Sequence, residues 1–183
     1  ADETSDAEVR AAAALVVGCK AAKPAFRLEA LRLLMLALGD WRLKDPPAEV
    51  YTGYSLDAPL DDYKNDLKAV RKAVRDWFPS GDEHLDDEAA RFLAMVEDDN
   101  SLLLPKIAAM WTPNSTATRD MHYLIVYSRL RGGVFDRAAG RVADAVLGLD
   151  RKLEGQAQRN KQNWNARLVE VVAELIDKDP DLS

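Results

Sequence analysis

The run Pro24 to Trp41, PAFRLEALRLLMLALGDW, constrains the fold of this chain more than any other stretch. Proline suits the first turn of a helix, where its missing N–H costs nothing. Leu, Met and Ala then follow almost without a break, and all are good helix formers. Between Ala25 and Leu38 the only charges are Arg27, Glu29 and Arg32. Apolar side chains therefore cover most of the circumference, and such a helix is expected to be contacted on several sides. It is too short and too interrupted to span a bilayer, which takes roughly 20 mainly apolar residues. Gly39 and Asp40 stop it. The sequence thus predicts a central, deeply buried helix.

The rest of the 183 residues repeats this grammar. Ser5 and Glu8 have capping-box spacing, so a first helix is expected to start there and run to Gly18. Tyr63, Leu67, Val70, Val74 and Trp77 form one face of a third helix, from about Asp62 to Phe78. A fourth carries Leu85, Ala89, Phe92 and Val96. A fifth is expected from about Ser101, through Leu104 and Ile107 to Trp111. A sixth spans about 118–131, a seventh about 136–153, and an eighth carries Trp164, Leu168, Val171 and Leu175. No segment alternates like a strand. Short links favour antiparallel neighbours.

Three segments read alike: LLMLALGD at 33–40, FLAMVEDD at 92–99 and IVYSRLRG at 125–132. Each is the end of an apolar helix followed by a polar turn, and the last two are 33 residues apart. Periods of about 30–45 residues with two helices per unit favour an α-solenoid over the alternative, an irregular helical bundle. The expected fold is all-α: a right-handed α-solenoid of about four HEAT-like helix pairs, forming one domain over 1–183. One long irregular loop, 44–60, interrupts it, because Pro46, Pro47, Gly53 and Pro59 forbid a regular helix there.

Composition narrows the function. Hydrophobic residues make up 48% and charged residues 31%, which suits a packed globular chain. The net charge is −6 and the pI about 5.0, which weighs against nucleic acid or an anionic membrane as the main partner. Cys19 is the single cysteine, so no internal disulfide and no cysteine cluster for a metal can form. The chain opens ADETSD without an initiator Met, and reads as a processed product or a domain excised from a larger protein.

Chemistry-bearing residues are few. His84 lies among Asp82, Glu83, Asp86 and Asp87; the acidic loop 82–88 offers cation ligands, but its spacing fits no EF-hand, and a helix N-terminus accounts for it. Asp120 and His122 are candidates for an all-helical enzyme, yet two residues apart on a helix they diverge by about 200°. Lys64, Lys68, Arg71, Lys72 and Arg75 form a basic stripe that faces either solvent or the acidic segment 82–99. The tract 151–167 is basic and amide-rich with one Trp; it reads better as a polar link than as a strand-binding surface. Trp41, Tyr51 and Tyr54 are the candidate partner-binding residues, since aromatic residues make good anchors, although the two tyrosines equally well pack back on the helices. No cofactor is implied by any of these residues.

The segments LRLLMLALGDW (31–41), FPSGDEHLDDEAARFLAMV (78–96), MHYLIVYSRLRG (121–132) and RNKQNWNARLVEVV (159–172) carry a family resemblance. The chain resembles the HEAT-like repeat region of large bacterial secreted multidomain proteins that carry a c-type cytochrome domain, some with a dehydrogenase-like propeller. The resemblance implies an extracytoplasmic setting and a spacer or scaffold role beside a redox domain. It transfers no redox chemistry to any residue, because Cys-x-x-Cys-His is absent. The expected function is a non-catalytic interaction or spacer domain whose partner is a protein or a neighbouring domain of the same chain.

Overall fold

The computed structural model describes residues 3–39, 49–56, 60–132, 138–154 and 163–179. The protein is all-helical, with no strand among the described residues. Its helices are α1 (Glu3–Gly18), α2 (Pro24–Ala37), α3 (Leu60–Trp77), α4 (Glu83–Met95), α5 (Leu103–Ala108), α6 (Ala117–Arg129), α7 (Ala138–Leu153) and α8 (Trp164–Lys178). None is long and apolar enough to cross a membrane.

Local chemistry sets most of the ends. Pro24 opens α2, and Gly39, at φ 76°, closes it with its N–H directed to the Met35 and Leu36 carbonyls. Asp82 caps α4 by accepting from the Leu85 N–H at 3.0 Å. Thr116 caps α6 by accepting from the Arg119 N–H at 3.2 Å. The fifth helix is shorter than its apolar pattern predicts. The Met110 N–H reaches back to Ile107, tightening the last turn, and Trp111 falls outside the helix.

The chain divides into two compact units. The first comprises Ala1–Pro47 and Thr52–Asp98. Here α1 packs on α2 and α3, and α4 packs on α2 and α3. Leu31, Leu34, Leu67, Val74, Leu85 and Phe92 are core residues of this unit. Arg71 and Arg75 of the basic stripe turn to the end of α4: Arg71 donates to the Val96 carbonyl at 2.5 Å, and Arg75 lies 3.5 Å from fully buried Asp98. Lys64 and Lys72 stay at the surface, paired with Asp61 and Asp76 of their own helix.

The second unit comprises Ala48–Tyr51 and Asp99–Ser183. Its hub is α6, packed against α5, α7 and α8, while α5 also meets α7. Every residue from Asp120 to Ser128 is buried. The short 3-10 turn Glu49–Tyr51 packs on α8, where the Val50 N–H donates to Glu170 at 3.3 Å. Gly132 allows a close backbone approach: a Cβ there would stand 2.8 Å from the carbonyl carbon and oxygen of Asn100.

Among the described residues the most buried helix is α6, not α2 as its sequence predicts. On α2, Ala30, Leu31, Leu34 and Met35 are covered, but Phe26, Leu33 and Leu36 are 66%, 52% and 58% exposed. Among the described residues the helices packed on α2 are α1 and α4, and they leave Phe26, Leu33 and Leu36 uncovered.

Candidate functional site

The uncovered face of α2 and its neighbour α1 form a groove of about 560 Å³. Small side chains, Ala11, Ala12 and Ala37, make its floor, and Leu15, Leu33 and Leu36 make its walls, with Glu8 at one end. Leu15 is 46% exposed, and Val17 also faces water on α1. Positions 8, 11, 12 and 15 share one face of a 3.6-residue helix, as do 33, 36 and 37. The groove is thus a continuous aliphatic strip between two helices, with a single carboxylate on its rim.

In the second unit a cleft of about 660 Å³ lies over Asp120. Asp120 is 2% exposed. Its Oδ1 lies 2.5 Å from Ser115 Oγ, and its Oδ2 accepts from Lys152 Nζ at 2.5 Å. Lys152 also donates to the Thr112 carbonyl at 2.8 Å and to Ser115 Oγ at 3.0 Å, so all three of its N–H bonds are used. Ser115 Oγ also stands 2.7 Å from the Thr112 carbonyl; its single proton serves that carbonyl or Asp120, one at a time. The Trp111 indole N–H donates to the Asp120 carbonyl at 3.3 Å. This cluster bolts the end of α7 to the α5–α6 turn. His122 does not join it: its ring stands edge-on to Tyr123, centroids 4.7 Å apart. Nothing in the pattern of residues 115–122 foretells Lys152, which arrives from 32 positions away.

Asp82 and Asp86 of the acidic loop are occupied with backbone: Asp82 as the α4 cap, and buried Asp86 accepting from the N–H groups of Ser80 (2.6 Å) and Gly81 (3.2 Å). Among the described residues no three His, Cys, Asp or Glu side chains converge to hold a metal ion. Tyr51 is 4% exposed and Tyr54 7%, so neither presents its ring to solvent. Tyr51 shares a 3.4 Å hydrogen bond with Ser128 in the second unit and lies under Arg129. Tyr54 lies under Arg91 in the first, and burial pushes its hydroxyl up to about 12. Trp41 and residues 155–162 of the tract 151–167 lie outside the described residues.

One further cation, half-buried, has no signal in the sequence pattern. Lys178, at the end of α8, donates to the Tyr127 carbonyl at 2.7 Å and to the Leu130 carbonyl, capping the C-terminus of α6. Its ammonium stands 5.1 Å from the Tyr127 ring centroid. Burial, with Arg131 nearby, pulls Lys178 down to about 8. Burial also pushes the Tyr127 hydroxyl up to about 12, with Asp179 adding to the shift. Compared with models of known protein families, with curated proteins and with solved structures, the chain finds no match.

Proposed function

We propose that this chain is a non-catalytic interaction domain of stacked, HEAT-like helix pairs, and that the α1/α2 groove seats an amphipathic helix from a protein partner. The observation that carries this reading is the exposed aliphatic wall of Leu15, Leu33 and Leu36. Contiguous apolar grooves of this kind mark interaction sites, and an amphipathic helix fits one through residues at i, i+3, i+4 and i+7.

The packing pattern of the first unit supports both parts of the proposal. In a stack of helix pairs the first helix of one pair rests on the first of the next, and the second on the second. Helices α1 on α3, and α2 on α4, follow that rule. The groove is the opposite side of the α1/α2 pair, where a further helix would continue the same stacking. In the second unit α5 meets α7 and α6 meets α8, as the rule requires, but α6 also packs on α7. About four pairs, right-handed, remains the proposed arrangement. A spacer role beside another domain of a larger protein follows the same logic, with that domain supplying the helix.

The test is a titration with a synthetic amphipathic helix carrying Leu at i, i+3, i+4 and i+7 and Lys elsewhere. Saturable binding is expected, weakened at least tenfold in a Leu33→Lys, Leu36→Glu variant. These replacements place opposite charges four residues from Glu29 and Arg32, so the helix itself is not penalised. Absence of saturable binding, or equal binding by both proteins, overturns the reading. Concentration-dependent dimerisation that the same variant abolishes would assign the groove to a second copy instead.

A further inference from the structure

The cleft over Asp120 has a composition that the interaction reading does not use. One face of α7 supplies Arg141, Asp144, Ala145, Gly148, Arg151 and Lys152, spaced three, four and seven residues apart. Trp111, Thr112 and Pro113 form the facing wall. Three cations meet two carboxylates, and one of each is spent in the Asp120–Lys152 pair. What remains addressable is Arg141, Arg151 and Asp144. One guanidinium N–H of Arg141 is committed to the Ala108 carbonyl at 2.6 Å, and Arg151 is exposed on the rim. The cleft is therefore locally cationic in a chain whose net charge is −6.

Gly148 points to what the cleft admits. Glycine is a poor residue for a helix interior. An added Cβ at Gly148 would meet nothing within 4 Å, so no neighbouring group requires glycine there. Its effect is to leave the α7 backbone bare opposite the Trp111 wall. Asp144 lies one turn before Gly148 and Arg151 one turn after it. Arg141 stands about 15 Å from Arg151 along the helix axis. An anionic group in the cleft is repelled from the Asp144 end and drawn to the Arg151 end.

We propose that this cleft binds a flat organic anion, its ring between Trp111 and the bare α7 backbone at Gly148, its carboxylate or phosphate on Arg151. Arg141 adds attraction from a distance. The Asp120–Lys152–Ser115 cluster holds the two walls in place and takes no part in recognition.

The experiment uses 1-naphthoate, 1-naphthyl phosphate and neutral 1-naphthamide as probes, read by the indole N–H signals in 1H–15N spectra. Trp111 is assigned by its loss in Trp111→Phe. At least one anionic probe is expected to shift the Trp111 signal saturably in the millimolar range or below, and at least tenfold more tightly than the amide. The preferred anion identifies carboxylate or phosphate as the group recognised. Arg151→Gln is expected to weaken that binding at least tenfold, and Asp144→Asn to strengthen it two- to threefold. Gly148→Ala separates ligand clearance from fold: it is expected to raise the melting temperature by about 2–4 °C while weakening binding at least fivefold. Three results overturn the proposal: no saturable shift with either anion, equal binding of the neutral amide, or Gly148→Ala binding as tightly as the parent.

Discussion

Helices α2 and α6 invert what their sequences advertise. Helix α2 is the more apolar, with eight large aliphatic or aromatic residues between Phe26 and Leu38, yet it leaves Phe26, Leu33 and Leu36 in water. Helix α6 includes Asp120, His122 and Ser128, yet buries every residue from Asp120 to Ser128. The difference lies in the neighbours. Helix α6 has α5, α7 and α8 around it, and α2 has α1 and α4. Burial is a property of the company a helix keeps, and a buried carboxylate and a buried hydroxyl of α6 are each met by partners. Asp120 is met by Ser115 and Lys152, and Ser128 by the Ile125 carbonyl at 2.9 Å.

The largest expected effect comes from the polar cluster at the start of α6. Asp120→Ala strands the Lys152 ammonium and the Thr112–Ser115 turn, and should cost about 3–5 kcal/mol, the range for breaking a buried pair by deleting one partner. Chemical denaturation measures it; a loss below about 1 kcal/mol would mean the pair is dispensable. Next is Gly132→Ala, whose Cβ overlaps the Asn100 backbone. It should cost about 1–3 kcal/mol by overpacking, since backbone cannot yield as a flexible side-chain tip does.

A smaller effect comes from Lys178. Its value of about 8 lies below the ordinary 10.5, so the unfolded chain binds this proton more tightly than the folded one. Its contribution to stability therefore rises with pH between about 8 and 10.5. Lys178→Met should remove that rise, and an NMR titration of the Lys178 ammonium should show a midpoint near 8. A midpoint near 10.5 would show that the α6 carbonyls outweigh burial. Tyr127, held up at about 12 against the ordinary 10.0, acts with the opposite sign: above pH 10 its contribution falls as pH rises.

The smallest effect tests the other side of the comparison. Leu33→Lys with Leu36→Glu should change the stability of the isolated chain by no more than about 0.5 kcal/mol, as expected for exposed positions. A loss of several kcal/mol would mean that α2 is as enclosed as α6.

Much of the fold was legible in the sequence because helix ends are written locally. Pro24, Gly39 and Asp82 each act on backbone within a turn of themselves. What could not be read was which apolar face is covered. Leu31 and Leu33 are chemically identical and sit on the same helix, and only the helices packed on α2 distinguish them. The polar contacts were hidden for the same reason: Lys152 reaches Asp120 across 32 positions, and Lys178 reaches Tyr127 across 51. Tyr51 and Tyr54 are three residues apart yet belong to different units, a division that no local pattern encodes.

That division has a consequence for how such a chain can be inherited. The second unit is not contiguous: it takes Ala48–Tyr51 from within the span of the first. A gene break after Asp98 would deliver α5 to α8 without Val50 against Glu170 and without Tyr51 against Ser128. No single crossover can deliver the second unit both complete and free of first-unit residues.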